Sequence, residues 1–445
     1  MKKSKLLLST LLAGGVFLTA CSGNEATTTT TTVVPTTAST STTVEEINYT
    51  LKVYDLDGSE LLNKSLKTTK KDSLFVDLNR ESTLVNGATD LGHYLISIND
   101  SIIDNNYFLA IYQNGNMTST GIDGVVLSNG DEIVIKNECW KGFDETDLLV
   151  DKAFYQYINN YLIEDIKDDT IDSLHVESTY EYDGVEYTSV SNFTNFWTYA
   201  AVDVLKENGY DINIKNDNPT IYNAIKDYDL DTLTGTDFGK YYYYAKAFDV
   251  DMTAFKTKYK AFINDTLESE YTAGYSQEYS IPFEIAPAKG LKIVDTKITG
   301  LVSTDYVPPL TTEWDGVTYS NYDGYNWFQT VNLLFGKEKD TTTLNTISQL
   351  DYTKETPTTI ALSIATFAAS NEDVRKTEYK NNGKDLVELL LESYDPDLGL
   401  IKVYGTDTGL NYSNNQIYAS LFAYKFQRDT RVISSLEPKA FNIFA

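Results

Sequence analysis

Alternating apolar and polar residues predict a small domain of β-strands between positions 47 and 140. Segments 49–54 and 61–66 alternate on either side of the turn residues Asp57 and Gly58, which is the pattern of a β-hairpin. Residues around 95–98, 107–112 and 132–135 predict three further strands, and Asn-Gly pairs at 114–115 and 129–130 supply tight turns between them. A weaker periodicity near 73–85 indicates a helix that crosses the sheet.

After position 144 the apolar residues recur with the period of an α-helix. Phe154, Ile158 and Leu162 lie on one predicted helical face, and similar faces follow around 193–204, 241–248, 255–262, 327–335, 360–367, 386–393 and 417–424. A single helix pair cannot bury its own apolar stripe. The sequence therefore predicts helix pairs that are stacked or arranged in a toroid.

A short motif repeats within the helical region. Residues 181–187 are Glu-Tyr-Asp-Gly-Val-Glu-Tyr and residues 313–319 are Glu-Trp-Asp-Gly-Val-Thr-Tyr, each followed by an aromatic-rich helix. Asp-Gly between apolar flanks is typical of a two-residue hairpin turn. We therefore expect a β-hairpin before each of these two helices.

The strand region carries a family resemblance. Tyr94-Leu95, Tyr107-Phe108, Gly121-Ile122 and the run at 129–133 resemble the C-terminal β-grasp domain of the transcobalamin and intrinsic factor family over residues 48–140. The resemblance implies that these three residue pairs contact a cobalamin-like ligand. In the family a Trp follows the first aromatic, and this chain has Phe108 there.

The helical region is similar to the α/α barrel of terpenoid cyclases and prenyltransferases, which transcobalamins share. The similarity covers 144–430 and is strongest in the segments 359–369, 382–387, 395–400 and 415–419. The domain order is reversed relative to transcobalamin. Together the resemblances imply an α+β multidomain protein, with a β-grasp domain at 47–140 and an α/α-barrel domain at 144–445.

The N-terminus has the pattern of a bacterial lipoprotein signal. A basic start precedes a short apolar run that ends in Leu18-Thr19-Ala20-Cys21, so we expect cleavage after residue 20 and lipidation of Cys21. Residues 21–46 are rich in Thr and Ser and are predicted to be a disordered tether. These features predict a lipid-anchored protein on the extracellular face of the cell membrane.

Composition narrows the classes of partner. The chain has 36 basic and 64 acidic residues, a balance that argues against nucleic acid and against anionic lipid headgroups as partners. After lipidation only Cys139 remains, so no intrachain disulfide is expected. With His93 and His175 as its only histidines the chain is poorly supplied for a zinc site, although His175 is a weak candidate for a cobalt ligand.

Catalytic signatures are weak. Asp168, Asp169 and Asp172 have the spacing of a magnesium-diphosphate motif, and Asp229 with Asp231 resembles the protonating aspartates of squalene-type cyclases. A strongly acidic chain supplies such groups by chance, so we expect no enzymatic activity and no cofactor.

Two functions follow as hypotheses. In the first, the anchored protein binds a cobalamin-like small molecule between its two domains and passes it to a membrane importer. Its predicted ligand-binding residues are Tyr94, Leu95, Tyr107, Phe108, Gly121 and Ile122. In the second, the same scaffold is a surface module that binds glycan or protein.

Overall fold

The computed structural model describes residues 7–8, 46–69, 74–89, 92–104, 106–182, 184–271, 275–403, 412–432 and 438–444. It confirms the α+β class, because a β-rich domain is followed by a helical one. Cys21 and the predicted tether up to residue 45 lie outside the described residues. Leu7–Leu8 forms a short strand, β1, which pairs with β11 (Tyr210–Asp211).

The β-rich domain has the strand order of a β-grasp fold. Its elements are β2 (Ile47–Tyr54), β3 (Glu60–Thr68), α1 (Leu74–Glu81), β4 (Leu84–Thr89), β5 (Gly92–Ile98), β6 (Tyr107–Gln113), β7 (Asn116–Met117) and β8 (Glu132–Cys139). The main sheet has the order β3-β2-β8-β6-β7, with the first and last long strands parallel at its centre. Strands β4 and β5 form a separate antiparallel pair.

Strand alternation gives this sheet two different sides. Leu51 and Val53 pair with Ile133 and Ile135, and all four are buried in one cluster with Leu74 of α1. Because successive residues of a strand point to opposite sides, the intervening residues face away from α1. We call this second surface the open side of the sheet.

Helices build the second domain. They are α2 (Glu145–Tyr157), α3 (Ile163–Asp168), α4 (Phe196–Glu207), α5 (Pro219–Lys226), α6 (Asp237–Ala247), α7 (Thr253–Asp265), α8 (Tyr275–Gly290), α9 (Thr296–Ser303), α10 (Tyr322–Leu334), α11 (Thr341–Ser348), α12 (Pro357–Ala369), α13 (Leu386–Leu391) and α14 (Tyr412–Val432). Two hairpins, β9–β10 (His175–Tyr182 and Val185–Asn192) and β12–β13 (Thr311–Trp314 and Val317–Ser320), precede α4 and α10. Strands β14 (Tyr394–Asp395) and β15 (Leu400–Ile401) pair after α13.

Six of these helices close into a ring. In order around the ring they are α4, α6, α8, α10, α12 and α14, and α14 packs against α4. Neighbouring inner helices run in the same direction, because positions near their starts meet. Asn415 Nδ2 lies 2.7 Å from Thr198 Oγ1, and Asn321 hydrogen-bonds Glu278. The remaining helices alternate with the ring in sequence, so the domain is an α/α toroid.

Aromatic rings fill the middle of the toroid. Trp197, Phe283 and Trp327 pack together, with centroid separations of 4.4 Å between Phe283 and Trp327 and 6.1 Å between the two Trp rings. Phe444, close to the C-terminus, inserts among them and is fully buried. The centre of the toroid is therefore a packed core.

The predicted helical faces hold with four exceptions at helix ends, of which two, Phe248 and Phe335, directly follow α6 and α10. Phe193 has φ of +54° and lies in the turn between β10 and α4, so its placement on a helical face was wrong. Ser393 follows the end of α13 at Leu391. Apolar residues next to a helix can share its periodicity, although a turn determines their backbone.

Candidate functional site

The open side of the β-grasp sheet carries exposed aromatic side chains. Phe108 in β6 is 46% exposed, and Trp140, which directly follows β8, is 58% exposed. Tyr112 lies four residues after Phe108 on the same side, where its hydroxyl donates a 2.5 Å hydrogen bond to Glu138. Lys136 Nζ lies 4.6 Å from the centroid of the Tyr112 ring. These residues form an aromatic surface with a fixed rim of charge, which we call the sheet aromatic patch.

Tyr107 points the other way and joins the two domains. Its hydroxyl donates a 2.6 Å hydrogen bond to Asp151 of α2. Burial and the neighbouring Asp151 carboxylate raise the pKa of Tyr107 well above its usual range. Alternation along β6 thus separates Tyr107 from Phe108, although the two were predicted to line one binding surface.

The other predicted ligand contacts lie on and beside β5. Tyr94 is 48% exposed and its ring packs on Gly87 of β4, at a distance that leaves no room for a Cβ atom there. Leu95 packs against the domain core and Ile122 is buried within it. The loop that contains exposed Gly121 is held to β5 by His93, whose backbone N–H donates a 2.6 Å hydrogen bond to Asp123. A role of these residues in ligand binding stays a prediction.

Buried charges lock the two domains together. Asp104 of the β-rich domain accepts hydrogen bonds from the hydroxyl of Tyr155 at 2.6 Å and from Nζ of Lys425 at 3.1 Å. Arg428 Nη2 lies 2.5 Å from Asp151 Oδ1. We call this group, together with Tyr107, the interdomain cluster.

Electrostatics within the interdomain cluster favour the charged forms of Asp104 and Lys425, whereas burial raises the pKa of Asp151. Burial opposes ionisation of Asp104, but the Lys425 ammonium and the Tyr155 hydroxyl outweigh it and lower the pKa of this carboxyl. Burial likewise disfavours the Lys425 ammonium, yet Asp104, Asp429 and Asp151 raise its pKa well above the usual value. Direct contacts therefore fill this part of the space between the domains.

The interdomain cluster was not predicted from the sequence. A signal for it was present, because Asp151 interrupts the apolar run of α2 and Lys425 follows buried Leu421, Phe422 and Tyr424 in α14. A charge inside an apolar helical face needs a partner of opposite charge in the core. The sequence alone does not say that the partner, Asp104, comes from the other domain.

The weaker candidates lie apart from one another. His175, the cobalt-ligand candidate, is exposed in β9, where its Nδ1 lies 2.8 Å from Asn192 Oδ1. Hydrogen bonds that its ring donates to Asn192 and then Glu177 raise its pKa. Asp169 is buried and accepts a 2.6 Å hydrogen bond from the Tyr199 hydroxyl. Asp231 is exposed and its pKa is lowered by Lys258, whose Nζ lies 2.6 Å away. A buried proton donor of the cyclase type needs a raised pKa, which Asp231 does not have.

Four cavities in the described part of the chain are lined by helical-domain residues alone. Two open clefts lie at the end of the toroid where the inner helices start. One, of about 440 Å³, is formed by Ser191, Asn195, Phe196 and Lys240 among others, and another, of about 450 Å³, by Tyr394 and Lys402 among others. A third, of about 370 Å³, lies at the opposite end beside Phe441, and a fourth, of about 120 Å³, lies between α10 and α12.

Within the residues that the structure describes, no group of three or more His, Cys, Asp or Glu side chains is placed to hold a metal ion. Among those same residues, no helix combines the length and the apolar character needed to cross a membrane. Cys139 is free and partly buried.

Comparison with known proteins gives a match within the β-rich domain. Residues 72–138 match the family described as Domain of unknown function (DUF4430). No curated protein matches the chain. A solved structure of a candidate metal-binding protein from Ruminococcus gnavus ATCC 29149 is similar at 16% identity, over 21% of this chain and 97% of that one, with a TM-score of 0.19.

Proposed function

We propose that this chain is a membrane-tethered binding protein that captures a planar, cobalamin-like ligand on its β-grasp domain and delivers it to an importer. The observation that carries the proposal is the sheet aromatic patch, where Phe108 and Trp140 remain exposed on a sheet whose other side is a packed core. Large aromatic side chains exposed together are characteristic of ligand and partner contact.

The domain pair supports the same proposal. A β-grasp domain and an α/α toroid in one chain are the two parts that the transcobalamin resemblance implies, here in reversed order. The interdomain cluster occupies the contact between Asp104 and α14 with direct hydrogen bonds, so a ligand there would have to displace buried charges. The sheet aromatic patch needs no such displacement, and we therefore assign the ligand to the open side of the sheet.

Anchoring by Cys21 is part of this proposal. A capture protein that serves an importer works at the membrane, and the pattern Leu18-Thr19-Ala20-Cys21 supplies a lipid anchor. Cell fractionation of a Cys21→Ala variant is the test. The variant should move from the membrane to the soluble pool. Membrane retention equal to that of the parent would contradict the assignment of Cys21 as the lipid anchor.

The binding experiment is a titration of the soluble chain, starting at residue 46, with a cobalamin, followed by absorbance and calorimetry. We expect saturable binding with one ligand per chain. A folded chain that binds no cobalamin would remove this ligand class. The proposal contains no catalytic step, so turnover of an allylic diphosphate that is lost in Asp169→Ala would contradict it.

A further inference from the structure

The two repeated hairpins are amphipathic although neither packs on a core. In β9–β10, Tyr180 pairs directly with Tyr187, and Ser178 with Ser189. Alternation places these four residues on one side of the ribbon and the acidic Glu177, Glu181 and Glu186 on the other. The described side chains of both strands are exposed except that of Asn192, which is half-buried.

The second hairpin repeats this arrangement in the same register. Val317 and Tyr319 of β12–β13 correspond to Val185 and Tyr187, and both are about half exposed. Asp315 and Gly316 have φ of +49° and +74°, which is the turn that a two-residue hairpin requires. An isolated two-stranded ribbon is marginally stable in water, so exposed aromatic residues repeated on two such ribbons indicate contact with a partner.

The toroid sets the positions of the two hairpins. Each precedes an inner helix, α4 or α10, so both stand at the end where the inner helices start. In the ring order α4 and α10 are three positions apart and therefore on opposite sides. With neighbouring helix axes 8–10 Å apart, opposite members of a six-membered ring are about 16–20 Å apart. The hairpins flank the mouth of the toroid.

A cleft continues the aromatic side of the first hairpin into this mouth. Ser191 lies on the same side of the ribbon as Tyr187 and lines the cleft of about 440 Å³ together with Asn195, Phe196 and Lys240. On the hairpin the Tyr180 and Tyr187 rings are stacked, with centroids 5.5 Å apart and planes at 18°. The aromatic side of the hairpin thus leads to a cleft with hydroxyl, amide and amine groups.

We propose that the mouth of the toroid, flanked by these hairpins, is a binding site for a neutral polysaccharide chain. The C–H groups of a sugar ring carry slight positive charge and pack on the negative face of an aromatic ring, while hydroxyl and amide side chains match sugar hydroxyls. Two copies of one binding surface suit a ligand that itself repeats. Binding of a polysaccharide at the mouth of the toroid is independent of the sheet aromatic patch.

The charge distribution of the chain favours a neutral polysaccharide over an acidic one. The aromatic sides of both hairpins carry no ionisable group other than tyrosine, their opposite sides carry glutamates, and the whole chain has a formal net charge of −28. A polyanion would be repelled by this field. A basic polypeptide would instead be drawn to the glutamate sides.

Affinity electrophoresis of the full chain in mild detergent, against a panel of starch, cellulose, mannan, xylan and arabinogalactan, tests this assignment. We expect retardation by at least one neutral polysaccharide, with affinity for its oligomers that rises with length until both hairpins are spanned. Tyr187→Ser and Tyr319→Ser should each weaken binding about tenfold, and the double variant should abolish it. Tyr187→Phe should bind as the parent does.

Val190→Ser is the matched control, because Val190 is equally exposed on the glutamate side of the first hairpin. It should leave binding unchanged. The proposal would be overturned if no neutral polysaccharide of the panel retarded the chain, or if the double Tyr variant were retarded as strongly as the parent. Binding only to polygalacturonate or to polylysine, tested as charged polymers beside the panel, would overturn it too. Circular dichroism confirms that the exposed Tyr variants are folded before they are compared.

Discussion

At the residue scale, buried ionisable groups set how the stability of this chain depends on pH. Asp203 of α4 is almost completely buried, and its Oδ2 lies 3.5 Å from Nζ of Lys246 in α6. Burial raises the pKa of Asp203 to about 7, because the nearby ammonium offsets the loss of water only in part. Folding thus favours the protonated form of this carboxyl relative to the unfolded chain.

The raised pKa of Asp203 predicts a loss of stability towards neutral pH. A carboxyl with a folded pKa above its unfolded value stabilises fully below the unfolded pKa, and this contribution disappears as pH rises through the folded pKa. This contribution to the free energy of unfolding is lost between about pH 4 and about pH 7, and it amounts to about 4 kcal/mol at most. Asp203→Asn should lose less stability across this window in urea unfolding.

Asp249→Asn serves as the control for Asp203→Asn, because Asp249 is largely exposed and pairs with Lys206 at 2.7 Å. Its pH profile should follow that of the parent. If Asp203→Asn gave the same slope as the parent between about pH 4 and about pH 7, burial of this carboxyl would not govern the profile.

At the element scale, side-chain caps stabilise the starts of short helices. Asp385 precedes α13 and its Oδ1 accepts hydrogen bonds from the backbone N–H groups of Val387 and Glu388. Its Oδ2 lies 3.1 Å from Nε of Arg375, which also contacts Asp144. One buried carboxylate therefore caps a helix and is also one of several acidic partners of Arg375.

Asp385→Ala should lower the free energy of unfolding by about 2–4 kcal/mol, since it removes a buried cap and one charge-assisted hydrogen bond of a guanidinium that keeps Asp144 and Asp147 as partners. Asp340→Ala is the matched control. Asp340 caps α11 by accepting a hydrogen bond from Thr342 N–H at 2.9 Å and is exposed, so its loss should cost only about 1 kcal/mol. Equal costs in chemical denaturation would show that Arg375 does not depend on Asp385.

Elements were easier to predict from the sequence than their arrangement. The hairpin turns at 57–58, 114–115 and 315–316 carry residues that tolerate positive φ, so strand boundaries near them were predictable. The predicted helix near 73–85 is α1. That Tyr107 joins α2 while Phe108 stays exposed depends on which side of β6 meets the helical domain, and periodicity within one strand does not contain this information.

At the scale of the whole molecule, the interdomain cluster determines how the two domains are held. Lys425 is buried on α14 and contacts Asp104 of the β-rich domain and Asp429 of its own helix, at 3.1 and 2.7 Å. Removing one member of a buried ionic group leaves its partners uncompensated, which costs about 3–5 kcal/mol. We expect this loss of free energy to weaken the contact between the two domains.

Lys425→Met should therefore loosen the domains. Limited proteolysis should cut the variant faster in the segment between β8 and α2, and its unfolding should separate into two transitions. Lys258→Met removes a solvent-exposed pair with Asp231 and should cost less than about 1 kcal/mol with unchanged proteolysis. A single transition and a parent-like cleavage pattern in Lys425→Met would mean that other contacts hold the domains.

Binding of the ligand to the open side of the sheet, as proposed above, also involves the molecule as a whole. Phe108 is an exposed aromatic residue of this surface, and Val76 is an exposed apolar residue of α1, on the other side of the domain. Truncating an aromatic wall of a binding site costs about 1–3 kcal/mol, whereas truncating a residue outside the site costs nothing.

The most direct measurement is calorimetric titration of a cobalamin into the parent chain, Phe108→Ala and Val76→Ala. We expect Phe108→Ala to weaken binding about 5- to 150-fold and Val76→Ala to bind as the parent does. Parent-like affinity in folded Phe108→Ala would contradict the assignment of the ligand to the sheet aromatic patch.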